Sequence, residues 1–150
     1  MSTAIAPATT QLATFHLAGH LFGVPVSLVQ EVLTEQPRTP APLAPGAVAG
    51  LINLRGSVVT ALDLRRRLRL ADRGPDQVAM NVVVRNADEV WSLLVDSIGE
   101  VVQAAEGTFE PPPDTLHGPL RELIKGAYKL DGALLLVLDV HKALDLDSAV

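Results

Sequence analysis

The sequence predicts a mainly β fold: two small antiparallel barrels sharing one hydrophobic core, with short helices. Three observations carry that expectation. Apolar runs of strand length alternate with turns rich in Gly and Pro through most of the 150 residues. Hydrophobic residues reach 48% while aromatics make up only 3%, so the core has to be assembled from Val, Leu, Ile and Ala. The β-branched members of that set suit a pleated, half-buried surface. The third observation is an internal repeat. A shift of 76 residues lays GLINLRGSVVTALDLRRRL, from Gly50, on GAYKLDGALLLVLDVHKAL, from Gly126, without a gap. Identities fall at Gly50/Gly126, Leu54/Leu130, Gly56/Gly132, Leu62/Leu138, Asp63/Asp139 and Leu68/Leu144. A looser match at a shift of 69 sets FHLAGHLFGVPVSLVQEVL on VRNADEVWSLLVDSIGEVV, with Phe22 on Trp91 and Glu31 on Glu100. Coincident glycines and aspartates make duplication a better account than chance alignment of apolar runs.

The elements follow in order. Residues 1–11 are small and polar and read as a flexible tail, ahead of one domain over 12–146 with repeat halves 12–70 and 78–146. ATFHLAGHLFGVPV reads as two strands hinged at Ala18-Gly19. In SLVQEVL, Leu28, Val29, Val32 and Leu33 recur at helical spacing behind Ser27, a candidate N-cap. That helix would turn Val32 and Leu33 inward and leave Val29 partly exposed. Pro37, Pro40, Pro42 and Pro45 forbid regular structure in the loop beyond it. Two apolar runs around Arg55-Gly56 form a hairpin, and Asp63 to Leu70 give one or two helical turns with Asp63 and Arg67 as an i, i+4 pair. ADRGPDQ breaks the chain. VAMNVVV and EVWSLLVDSIGEVV are strand runs, with Trp91 in the core. A second proline loop at Pro111–Pro113 precedes the hairpin YKLDGALLLVLDV, and a short helix capped by Asp139 closes the fold.

Charge and composition exclude several functions. A formal charge of −5 and a pI near 5.2 argue against a nucleic-acid or anionic-membrane surface. No apolar run approaches the roughly 20 residues that span a bilayer, and MSTAIAPATT lacks the basic and apolar regions of a secretory signal. The chain has no Cys, hence no disulfide, thiolate nucleophile or Cys-ligated zinc. A cytoplasmic location without cofactors is the default expectation.

No catalytic constellation is legible. His16 and His20 are spaced i, i+4, but Ala18-Gly19 turns the chain between them, so helical metal-site geometry does not apply. Asp139 and His141 lack a serine nucleophile and an oxyanion-hole signature, and capping explains Asp139. The basic cluster Arg65, Arg66, Arg67 and Arg69 reads as a solvated face, with contact to an acidic protein surface as its functional alternative. Arg55 is the residue that demands explanation. Alternation puts Ile52 and Leu54 on one face of its strand and Asn53 and Arg55 on the other. A guanidinium cannot be buried alone, so it pairs with an acid of its own chain or is offered to a partner.

GLINLRGSVVTALDLRRRL resembles the signature of the CheW family, a Gly-hydrophobic-Ile-Asn-Leu-Arg-Gly stretch leading into Val-Val-Pro-hydrophobic-hydrophobic-Asp-Leu-Arg. The resemblance extends in order to FGVPVSLVQEVL, LVDSIGEVV and IKGAYKLDGALLLVLDVHKAL, about residues 12–146. Thr60 departs from it, standing where the family usually has proline, at a cost in local rigidity. The resemblance implies five-stranded, SH3-like barrels. It also implies a non-enzymatic adaptor that couples the cytoplasmic tips of chemoreceptors (methyl-accepting chemotaxis proteins) to the regulatory domain of a CheA-type histidine kinase. Such an adaptor is cytoplasmic and recruited to membrane-associated receptor arrays. By position, Val29, Glu31 and Val32 fall in the motif beside the receptor cleft, and Gly50, Asn53, Arg55 and Gly56 in the signature hairpin. The rival readings are a CheW-like scaffold of another phosphorelay, for motility or gene control, and a small-ligand-binding barrel. The repeat adds one expectation of its own. The second half carries Asp131 at the Arg55 position and Glu100 at the Glu31 position, so an attraction between Arg55 and Glu31 exists in one half only. An internal pair of Glu31 with Arg55 is the favoured reading, over direct contact of Arg55 with a partner.

Overall fold

The structure, a computed structural model, describes residues 9–146. Eleven strands and three short helices lie along them: β1 (Thr9–Leu17), β2 (His20–Pro25), β3 (Val29–Leu33), β4 (Val48–Leu54), β5 (Ser57–Asp63), α1 (Leu64–Arg67), β6 (Met80–Asn86), β7 (Glu89–Val95), β8 (Ser97–Ala105), β9 (Phe109–Glu110), α2 (Pro119–Glu122), β10 (Ile124–Leu130), β11 (Ala133–Leu138) and α3 (Val140–Leu144). They form two sheets, one in the order β8-β1-β2-β11-β10-β9 and one in the order β3-β6-β7-β5-β4. Each sheet is antiparallel apart from one parallel contact, β2 with β11 and β5 with β7.

The repeat is written into the register. Gly50 faces Ala61 and Leu54 faces Ser57 across the first hairpin; Gly126 faces Val137 and Leu130 faces Ala133 across the second, each 76 residues on. Both hairpins shift register just before the glycine, between Val48 and Gly50 and between Ile124 and Gly126. The main chain repeats as well, with Asp63 N–H on the carbonyl of Ala47 at 2.7 Å and Asp139 N–H on that of Leu123 at 2.8 Å. The shift of 69 holds too: Leu136 lies beside Phe22 as Thr60 lies beside Trp91. The sheets, however, do not coincide with the halves. β1 and β2 sit with β8–β11, and β6 and β7 sit with β3–β5, so each sheet takes a hairpin from one half and the remaining strands from the other. The halves interlock and neither builds a sheet order alone.

Burial follows from this exchange. The largest core cluster draws Phe15, Phe22 and Leu136 from one sheet and Leu62, Val82 and Leu93 from the other, all at 2% exposure or less. This is the shared core. Each sheet also closes over a smaller cluster: Leu12, Tyr128, Leu135 and Val137 in one, Ile52, Val59, Ala61 and Leu94 in the other.

Five expectations need correction. β1 begins at Thr9, so residues 9–11 are strand and not tail; residues 1–8 lie outside the described residues. SLVQEVL is not a helix. Val26–Leu28 make one 3-10 turn, with Pro25 and not Ser27 at its N-cap position, and Val29–Leu33 form β3. A segment of this length gains too little from helix propensity alone to hold a helix against a competing partner. The neighbouring β6 offers it a ladder, Val29 beside Val84 and Val32 beside Val82. Strand alternation then turns Val32 outward, 46% exposed, and leaves Val29 and Leu33 half-buried. Trp91 is half-buried at the edge of the shared core. The arginine cluster is a solvated face only at Arg66 and Arg69, because α1 is a single turn that directs Arg65 and Arg67 inward, 7% and 9% exposed. Asp63 caps that turn by accepting from Arg65 N–H and pairs with Arg66 and Arg73, not with Arg67.

Candidate functional site

The Arg55 hairpin is shaped by its own residues. Arg55 and Gly56 both take positive φ, 52° and 86°, the pair of left-handed conformations that a two-residue turn needs to match strand twist. Gly56 adopts this without strain. Asn53 steadies the turn, its Oδ1 accepting the Gly56 N–H at 2.9 Å. Gly50 lies where the strand bulges, fully enclosed, at φ 142° and hard against the carbonyl of Thr39. Three residues of the signature therefore build the hairpin that presents Arg55.

Arg55 reaches across the end of its sheet to β3. Its two terminal nitrogens donate to the two carboxylate oxygens of Glu31 at 2.7 and 2.6 Å, a bidentate pair. The geometry is good and the setting is one-sided: the glutamate side chain is only 16% exposed, but the arginine side chain is 71% exposed and meets solvent. The hydrogen bond and charge of Glu31 raise the guanidinium's pKa, while burial opposes this only weakly. Solvent screening limits what an exposed pair adds to stability. A double-mutant cycle of Arg55→Ala and Glu31→Ala is accordingly expected to show weak coupling in the urea midpoint, shrinking further as salt is raised. Strong, salt-independent coupling would contradict the exposure.

The structure thus brings Glu31, Asn53, Arg55 and Gly56 together at one end of the five-stranded sheet. Val29 stands apart, at the start of β3 directly after the chain has crossed between sheets, packed in part on the shared core. Val32 faces outward on the same edge strand. Two further residues join Arg55 around an open groove of about 380 Å³ lined also by Gln30, Leu54 and Val90. Val58 is 69% exposed, and Arg85 donates to the side chain of Gln30 at 3.3 Å. The signal for Val58 was present in SVVTALD: two adjacent valines in a strand cannot both face inward. Arg85 carried no such signal, because its place beside the hairpin depends on β6 and β7 pairing with β3 and β5. Two guanidiniums around an exposed valine suit a partner surface that is apolar with an acidic rim.

A second charged cluster lies at the joint between the sheets, and sequence reading passed over it. Asp96 separates β7 from β8, where the chain leaves one sheet for the other. Arg65 donates to both its oxygens, at 2.9 and 2.6 Å; Arg73 adds a bond at 3.0 Å and the Ala18 N–H another at 2.8 Å. Burial alone would raise the Asp96 pKa. The hydrogen bonds from Arg65 and Ala18, with the charges of Arg65 and Arg73, outweigh it and lower the value. A carboxyl group lowered on folding stabilises the native state above its unfolded pKa of about 3.9, and that contribution fades as pH falls through the folded value. Wild type should therefore lose stability relative to Asp96→Asn on acidification below about pH 4, with a constant difference above about pH 5. Urea midpoints measured across that range decide it; a difference that stays flat into acid would show that the carboxylate charge contributes nothing.

Comparison with known proteins gives a consistent set of relatives. The family model described as CheW-like domain matches residues 11–148. The chemotaxis protein CheW of Treponema pallidum is 29% identical over 136 residues, covering 88% of this chain and 80% of the relative. That of Rhizobium meliloti is 28% identical, covering 87% and 84%, and that of Bacillus subtilis 25%, covering 93% and 89%. The crystal structure of the scaffolding protein TtCheW from Thermoanaerobacter tengcongensis superposes with a TM-score of 0.83 at 26% identity, over 96% of this chain and 97% of that one. The two sheets accordingly correspond to the pair of SH3-like barrels of that fold.

Proposed function

We propose, from the premise that this chain belongs to the CheW-like domain family of chemotaxis scaffold proteins, that it couples the cytoplasmic tips of chemoreceptors to a CheA-type histidine kinase. It does so in the cytoplasm, within membrane-associated receptor arrays, and without catalysis of its own. The observation that carries the reading is the hairpin end of the five-stranded barrel. There a family signature, Asn53-Leu54-Arg55-Gly56, is used to hold one guanidinium out beside exposed Val58, against Glu31 of β3, the strand at the other end of the sheet order. That is how a docking surface is made, with side chains fixed by the fold and left available to a partner. Val32, exposed on β3, offers an apolar anchor for a receptor helix, while Val29, packed in part on the shared core at the start of the same strand, borders it beside the joint between the sheets.

Co-purification from native extract tests the reading directly. Wild type should recover a chemoreceptor, a CheA-type kinase or both, and kinase stimulation should require receptor. Arg55→Ala and Val29→Asp should each weaken recovery of one partner. Because Val29 also packs on the core, its melting temperature is read in parallel. Recovery of a kinase with no chemoreceptor in any condition would shift the reading to a scaffold of another phosphorelay. ATP or ester hydrolysis by the purified protein alone would overturn the adaptor role.

A further inference from the structure

The chain crosses between the two sheets at equivalent places of the repeat: at Val26–Leu28, from β2 to β3, and at Asp96, from β7 to β8. The shift of 69 sets Ser27 on Asp96 and Ala87 on Ala18, and the shift of 76 sets His141 on Arg65. The backbone repeats faithfully, since Ala18 and Ala87 both take the left-handed conformation, at φ 50° and 55°. The side chains do not.

At the Asp96 crossover, both carboxylate oxygens are occupied, and the donors come from the two sides of the joint. Ala18 belongs to the β1–β2 turn of the six-stranded sheet, while Arg65 and Arg73 follow β5 and precede β6 of the five-stranded one. The arginines are themselves anchored, Arg65 on the carbonyl of Ala71 at 2.9 Å and Arg73 on that of Leu94 at 3.1 Å. The Asp96 N–H adds a bond to the carbonyl of His16 at 3.0 Å. At the other crossover, Ser27 is exposed and its hydroxyl has no hydrogen-bond partner among the described residues. His141, in the place of Arg65, turns to Asn86, with Nδ1 and Oδ1 3.4 Å apart.

We infer that the two barrels are joined by one locked and one free crossover, so that relative motion of the barrels is confined to the Val26–Leu28 side, which leads directly into Val29. A hydrogen-bonded ion cluster spanning two bodies resists their separation because opening it strands several charged donors and acceptors at once. The Val26–Leu28 crossover, where Leu28 and Val29 pack on the shared core and Ser27 contributes no charged group, carries no such electrostatic penalty. The inference deepens the adaptor reading: the surface of β3 beside the joint would shift with barrel orientation, while the Asp96 side stays fixed as a pivot.

Hydrogen exchange on the isolated protein tests it without any partner, so its outcome is independent of whether the adaptor reading holds. The amides of Ala18 and Asp96 should be at least tenfold better protected than those of Ala87 and Ser27. Moving the lock is the second arm. The repeat supplies the recipe: Ser27→Asp with His141→Arg rebuilds the carboxylate and its bidentate donor opposite the Ala87 N–H. The double variant should raise protection at Ser27–Val29 and Ala87 about tenfold or more, beyond the product of the two single variants. Asp96→Ser should drop protection at Ala18 without altering Ala87. Equal protection at the two crossovers in wild type, or a double variant that gains nothing over the singles, overturns the inference. The gain-of-lock variant keeps the test decisive should Asp96→Ser fold poorly.

Discussion

Replacing Arg67 by alanine is expected to cost about 3 kcal/mol or more of folding stability, the sum of stranded acceptors and a void beside the core. Arg67 comes from α1 and ends on α3. Its Nε donates to the carbonyl of Ala143 at 2.7 Å, and one terminal nitrogen to those of Lys142 and Asp145 at 3.0 and 3.2 Å. Residues 67 and 143 are equivalent in the repeat, so the contact joins the same turn of both halves. Alanine stands in one half and arginine in the other. Burial lowers the Arg67 pKa, with the charge of Asp145 opposing and that of Arg69 assisting, yet a guanidinium stays protonated. The cation is thus held by carbonyl oxygens that have given up water for it. Arg67→Met should recover part of the loss by filling the space while leaving the carbonyls unserved. Arg67→Lys should fall between, since one ammonium cannot span three acceptors. Urea unfolding of the three variants gives the ranking. A loss below about 1 kcal/mol in Arg67→Ala would mean that water takes over the carbonyls freely.

The elements that could be read from the sequence are those whose causes are local. Both long hairpins, their turn glycines and the capping aspartates are set by residues within a few positions of one another, and the repeat showed them twice. β3 was not legible because its strand state depends on β6, more than forty residues away, while its own residues carry a helical period. The inward arginines were missed for the same reason. Arg65 is explained by Asp96 and Arg67 by Ala143, neither of which is near in sequence, and a run of arginines on one short turn looks like a solvated face until the opposing acceptors are placed. The interlocking of the halves is also invisible to a repeat, which shows equivalence without showing which copy pairs with which. At the candidate site, charge asymmetry between the halves singled out Glu31 and Arg55. The exposure of that pair, and the company of Val58 and Arg85, are facts of the assembled sheet.

Gly50 separates a residue that builds the hairpin from one that meets a partner. Gly50→Ala is expected to cost about 2–4 kcal/mol, combining backbone strain with displacement of a neighbour. Its φ of 142° lies in the region that favours glycine, and a Cβ there would sit 2.6 Å from the carbonyl oxygen of Thr39. That oxygen is already committed, accepting the Leu51 N–H at 2.7 Å, while Thr39 N–H returns a bond to Leu51 at 2.8 Å. The methyl group therefore has to push away the one stretch of the proline loop that pairs with β4. Gly126 repeats the close approach without the positive φ: a Cβ there would meet the carbonyl of Glu110 and the ring of Phe109 in β9, so Gly126→Ala should be damaging through that clash alone. Gly56→Ala is the control. Its φ of 86° is strained for alanine but nothing stands within 4 Å, so its cost should stay near 1–2 kcal/mol. In binding assays, the Gly50 and Gly126 variants should lose partner recovery only in proportion to the unfolded fraction, since neither glycine offers a side chain to a partner. A Gly50→Ala protein with an unchanged urea midpoint and lost kinase or receptor recovery would return this glycine to the docking surface, and leave the close approach of Thr39 without a structural purpose.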